Sequence, residues 1–256
     1  MSEETSKAAS GGSDLWDTIK TIIYAIVIAF FIRTVAYEPF NIPSGSMKPT
    51  LLIGDYLFVS KYSYGYSNHS LPFSPRIFSG RVFSSDPKRG DVAVFKTPLD
   101  NDTDFIKRIV GLPGDRIQVK QGRLYINRKL VPRTRIENYY DKQSGNSFPQ
   151  YVETLPNGHK YRILEEHGDW GGLDETPEYT VPAGHYFMMG DNRDNSSDSR
   201  VMPRPGGRHW VGFVPVANFV GRADVLFFSK DVGRDWWAFW RWIPDMRFRR
   251  FFQVIE

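Results

Sequence analysis

At 256 residues, 41% hydrophobic and 24% charged, the chain has material for one large domain or two small ones and reads as mostly globular. Its 33 basic and 29 acidic residues are interleaved and leave a net charge of only +4, so no cationic track runs along it and no nucleic-acid partner is expected. It has no cysteine, which excludes disulfides, thiolate nucleophiles, Cys-ligated zinc and iron–sulfur clusters.

Met1 to Asp14 is polar and rich in Ser, Gly and Glu, the composition of a disordered tail. Residues 15–37 then form a predicted transmembrane helix. Every residue from Ile22 to Ile32 is apolar or aromatic, Trp16 and Tyr37 are placed for the two interfaces, and Lys20 and Arg33 can snorkel outward. Thr34-Val35-Ala36 is a tolerable cleavage site for a signal peptide, but Glu3, Glu4, Asp14 and Asp17 stand where a basic leader would be needed. A retained anchor is the expectation. Lys7 and Lys20 before it and Arg33 and Lys48 after it leave its orientation open.

Beyond the anchor, Pro39 and Pro43 keep the chain extended. Tyr56–Ser60, Asp91–Lys96 and Phe105–Val110 read as strands, and 115–132 as a meander turning at Gln121-Gly122 and Asn127-Arg128. Residues 137–180 are polar and turn-rich, the character of an insertion. A last strand runs from Val220 to Ser229. The tail, 231–256, mixes Trp, Phe and Arg densely and is expected to contact a membrane surface, where rings and guanidiniums are both satisfied.

Three segments carry candidate chemistry. Ser44-Gly45-Ser46-Met47-Lys48-Pro49-Thr50 offers a nucleophile, yet by itself fits a capped Ser/Gly turn equally well. Lys107 shares a strand face with Phe105 and Ile109; if that face is buried, desolvation makes the amine a usable base, and if not, it is an ordinary surface lysine. Gly190 to Arg200 is rich in Asp, Asn and Ser. As a calcium loop counted from Asp194 it fails, because Ser199 and Pro205 occupy the glycine and glutamate positions. The five histidines show no metal-ligand spacing, His159 and His167 with Glu165 and Glu166 included, so no metal is expected. A triad of Ser46, His185 and Asp191 stays open.

Taken together, the segments 43–51, Arg89-Gly90-Asp91-Val92, 105–115 and 190–200 resemble, in order and spacing, the bacterial type I signal peptidases. The resemblance implies a mainly β fold: a catalytic domain of coiled antiparallel sheet over 38–136 and 181–230, with a smaller β-rich insertion at 137–180, behind one transmembrane helix. It implies Ser46 as nucleophile, Lys107 as neutral general base, and the Ser46 N–H with the Ser44 hydroxyl as oxyanion hole. Ser196 would orient the lysine, with Asp198 and Arg200 as a supporting ion pair and Arg108 in the same structural set. Phe40, Ile42, Met47, Leu51, Val94, Phe105 and Ile106 would line shallow pockets for small side chains. No cofactor is called for, since the base is a side chain. The implied partners are signal peptides of exported preproteins and membrane lipid. The implied location is the bacterial inner membrane, with the N-terminus cytoplasmic and the catalytic domain on the far side.

Overall fold

The computed structural model describes residues 11–70, 80–203, 210–231 and 242–255. Most of the expected disordered tail and the tryptophan-rich 236–241 lie outside them. A helix, α1 (Gly11–Val35), opens the fold. It begins four residues earlier than the predicted span and ends before Tyr37, which starts the first strand because Pro39 cannot donate within a continuing helix. Its stretch Leu15–Val35 is long and apolar enough to cross a bilayer, and none of it is buried against the body. At about 1.5 Å per residue its length matches a hydrocarbon core.

The body is built from antiparallel sheets. The main one holds eight strands: β1 (Tyr37–Asn41), β2 (Asp55–Ser60), β3 (Val92–Lys96), β4 (Asp104–Gly111), β12 (His185–Met189), β13 (Val214–Pro215), β14 (Phe219–Ser229) and β15 (Gln253–Val254). Their order is β1-β2-β14-β3-β4-β12-β13, with β15 paired to β14. The eleven-residue β14 pairs β3 through Phe219–Arg222 and β2 through Arg222–Ser229, and register shifts between Phe219 and Gly221, Ala223 and Val225, and Leu226 and Phe228 bend it. Strands β3 and β4 are buried on both faces, which is why their sequences read as near-continuous apolar runs. One face packs Ile42, Met47, Leu51, Leu57, Val92 and Val94 into a core, and the other packs Ala93, Phe95, Ile109 and Phe219.

A four-stranded sheet follows, with β5 (Arg116–Lys120), β6 (Arg123–Ile126), β7 (Lys129–Leu130) and the later β11 (Tyr179–Thr180). Its two hairpins turn where positive φ was expected, at Gln121 and Gly122 and at Asn127 and Arg128. The polar segment between these elements is ordered as a three-stranded sheet of β8 (Arg133–Asp141), β9 (Asn146–Thr154) and β10 (Lys160–Leu164). It begins at Arg133, ahead of the expected 137. Pro149 is tolerated in its central strand because the register shifts between Ile136 and Tyr139 on β8, opposite it.

The end of the chain packs on the body. After a turn of helix, α2 (Trp242–Asp245), Arg250 pairs with Asp55 at 2.5 Å and donates to Thr50 O at 2.9 Å, while Arg247 donates to Ile53 O and Lys230 O. Burial was expected to strand these guanidiniums. Instead a fully buried carboxylate and backbone carbonyls receive them, and Phe248 and Phe252 are left facing outward.

Candidate active site

The turn after β1 presents Ser46. Its hydrogen bonds run from Lys48 N to Gly45 O and from Leu51 N to Met47 O, so the Ser46 N–H is not used within it. Lys107 reaches it from β4: Nζ lies 2.7 Å from Ser46 Oγ and 3.0 Å from Ile106 O, with the Phe105 ring centroid 5.3 Å away. The lysine is 4% exposed. Burial brings its pKa from 10.5 down to about 8, against the upward pull of Asp198 and Asp191 and with the help of Arg200. The neighbouring Arg108 is engaged elsewhere. Consecutive strand residues point to opposite faces, and its guanidinium is held bidentate by Asp191 at 2.8 and 2.9 Å.

Asp191 also accepts from Thr50 Oγ1 at 2.5 Å, so one buried carboxylate ties the serine turn to β4. Asp198 and Arg200 form the expected ion pair at 2.9 Å. Burial alone would raise Asp198, but Arg200 and the Gly190 N–H together hold it below the usual carboxylate range. The Ser196 expectation is corrected: its Oγ is buried and makes no hydrogen bond to Lys107 or to any other of the described residues. It packs against Gly190, where a Cβ would overlap Ser196 Oγ and sit 2.6 Å from Ser46 O. Asn192 N donates to that same Ser46 carbonyl at 3.1 Å.

Ser44 Oγ lies 3.4 Å from Ser46 Oγ, at the mouth of an open cleft of about 550 Å³. Phe40, Ile42, Val94, Phe105 and Ile106 line the cleft, as expected, together with Ser46 and Lys107. Met47 and Leu51 do not. Both are fully buried behind the serine turn, where their spacing places them in the core that supports the cleft. Asn41, Pro43, Thr103, Asp104, Asn195 and Ser197 line it unexpectedly. Pro43, Asn195 and Ser197 fall in segments already singled out, but nothing in the sequence marks Asn41, Thr103 and Asp104, which are ordinary polar and turn residues until the sheet curls. The cleft lies between two unpaired strand edges. β1 is the edge of its sheet, and β12 pairs with β4 only from Arg108 onward, leaving Asp104–Lys107 open on that side. The alternative triad is not assembled: His185 Nδ1 contacts Ala183 O, and Asp191 is engaged by Arg108 and Thr50.

A serine hydroxyl against a buried, neutralisable lysine at the floor of a cleft open to an extended chain is the arrangement of a serine peptidase with a lysine base. The sequence profile described as Signal peptidase, peptidase S26, matches residues 15–228, and the chain belongs to that family. It is 40% identical to a signal peptidase I of Rickettsia canadensis over 92% of both chains. It is 41% identical to that of Rickettsia conorii over 91% of this chain and 90% of the other. A solved signal peptidase I from Enterococcus faecalis is 27% identical and covers 54% of this chain and 97% of its own, with a TM-score of 0.31.

Proposed function

We propose that this chain removes N-terminal signal peptides from exported preproteins, with Ser46 as nucleophile and Lys107 as general base. The observation that carries the reading is the 2.7 Å contact between Lys107 Nζ and Ser46 Oγ, set between two free strand edges. An extended peptide can add to such edges by main-chain hydrogen bonds, which suits a substrate set defined by shape more than by sequence. With the amine neutral, the Ser46 hydroxyl donates its proton to Nζ as Oγ attacks the scissile carbonyl. The oxyanion is met by the Ser46 N–H and the Ser44 hydroxyl. As the tetrahedral intermediate collapses to the Ser46 ester, Lys107 returns the proton to the leaving amine. Water, deprotonated by the same lysine, then hydrolyses the ester. Branched and aromatic walls from Ile42, Val94, Phe105 and Ile106 leave room for small side chains beside the cut, so Ala-X-Ala is the expected site and cutting directly after Leu or Phe is not.

Membrane anchoring through α1 fits this substrate class, because an uncleaved signal peptide holds its preprotein at the bilayer. The orientation we assign puts the N-terminus in the cytoplasm and the body outside. A lipid-facing surface is supported by the run of rings from Tyr37 through Phe58 and Phe227 to Tyr56 and Phe228, with centroids 4.2–6.2 Å apart. Tyr62, Phe248 and Phe252 stand exposed alongside.

The test is direct. The detergent-solubilised protein is incubated with a preprotein, and mass spectrometry reads the new N-terminus. A single cut after Ala-X-Ala, abolished in Ser46→Ala, is the expected result; an unchanged cut in that variant would remove Ser46 as nucleophile.

A further inference from the structure

Away from Ser46 a second group of ionisable side chains converges. Carboxylate oxygens of Glu165, Asp174 and Asp194 lie within 4.8 Å of one another, although one follows β10, one precedes β11 and one follows β12. Glu165 and Asp174 are buried, with 0% and 4% exposure. One oxygen of each is already engaged: Glu165 Oε1 accepts from Arg133 Nη1 at 3.2 Å, Asp194 Oδ2 from His167 N at 2.7 Å, and Asp174 Oδ2 from Gly171 N. Glu165 Oε2 is buried with no hydrogen-bond partner among the described residues. A buried carboxylate oxygen without a donor carries a substantial desolvation penalty, and native structures rarely leave one so.

Charge points the same way. Among the described residues Arg133 is the guanidinium paired with Glu165, and it is shared with Asp169, while Arg193 is held bidentate by Glu153. Three carboxylates therefore face a deficit of positive charge. Gly171 has no side chain to intervene, and a Cβ there would overlap Asp194 Oδ1.

We propose that Glu165, Asp174 and Asp194 bind a hard divalent cation, with calcium as the best match to an all-oxygen, loop-borne ligand set. The ion would tie the three-stranded sheet to the loop that packs on Ser46. Leu164 already bridges Asn192, Arg193 N donates to Leu164 O at 2.9 Å, and Asn192 N donates to Ser46 O at 3.1 Å.

Full-length protein in detergent, stripped with EDTA, is titrated with terbium and calcium while its melting temperature is followed. Three carboxylates predict calcium dissociation constants of about 10⁻⁴–10⁻³ M. Calcium at ten times that level should raise Tm by several degrees, and terbium luminescence excited through Trp170, next to Gly171, should be displaced by calcium. Glu165→Gln and Asp194→Asn should lose both signals with unchanged circular dichroism, while Glu137→Gln on β8 keeps them. Should Asp194→Asn fail to fold, Asp174→Asn takes its place. The proposal is overturned if calcium leaves the wild-type Tm and terbium signal unmoved, or moves Glu165→Gln equally. A Glu165→Gln variant more stable than a calcium-indifferent wild type would assign the gap to a shared proton.

Discussion

The proposed chemistry depends on a lysine that gives up its proton near neutral pH, and the fold supplies the means by burying it. With its pKa near 8, kcat/KM should rise with pH and level off above about 8, as read from a pH–rate profile. Lys107→Arg should be inactive because guanidinium does not deprotonate. The sign of the linked stability follows from the same shift. The folded state holds this proton less tightly than the unfolded chain does, so below about pH 8 Lys107 costs the fold about 3 kcal/mol, a cost that fades as pH climbs toward 10.5. Lys107→Met should therefore be inactive yet more stable than wild type at pH 7, by about 1–3 kcal/mol in urea denaturation. Ser44→Ala should lower kcat by about 10²–10³ with little change in KM, if its hydroxyl meets the oxyanion as Ser46 Oγ, 3.4 Å away, attacks. An unchanged kcat would make Ser44 structural. At this scale the sequence was most legible: the two residues it singled out, Ser46 and Lys107, lie 61 positions apart and 2.7 Å from one another. Ser196 did not follow, because where a small hydroxyl points is set by the packing of Gly190 against it and not by its place in a motif.

Among the elements, the polar stretch after β7 is the one whose order was least visible. The burial of β8 falls on scattered positions, because one face of that strand looks to solvent and its alternation is diluted by charged and turn residues. The structure gives the β8–β9 hairpin a place beside the site: Lys48, two residues past Ser46, pairs with Asp141 at 3.0 Å and donates to Gln143 Oε1 at 3.3 Å. Removing one partner of a nearly buried pair strands the other charge. Asp141→Leu should destabilise by about 1–3 kcal/mol, and the double variant Lys48→Met with Asp141→Leu should recover most of that loss in chemical denaturation. Equal losses in the single and double variants would show that the hairpin does not depend on the pair.

The whole molecule joins a helix whose apolar stretch is not buried against the body to a β domain whose exposed rings cluster near it. The two meet through short links, from Tyr66 Oη to Val35 O at 2.6 Å and from Arg33 to Glu38 at 3.4 Å. A chain lacking residues 1–37 should fold and cleave, yet need detergent or lipid for its full rate. Phe248→Ser with Phe252→Ser should flatten that dependence in a vesicle-titrated peptide assay, and a truncated enzyme indifferent to lipid would remove the aromatic face as a membrane contact.

By itself the sequence determined the apolar span, the strand runs on either side of the site and the turn residues at Gln121–Gly122 and Asn127–Arg128. These depend on local periodicity and on φ preferences carried by single residues. Only the tertiary structure decided that Met47 and Leu51 belong to the core, that Asn195 and Ser197 line the cleft, that Arg108 turns to Asp191, and that Glu165, Asp174 and Asp194 converge. Each of those facts depends on how the sheet curls and on which distant loops its curvature brings together. Spacing along a chain does not encode such distances until the strands are paired.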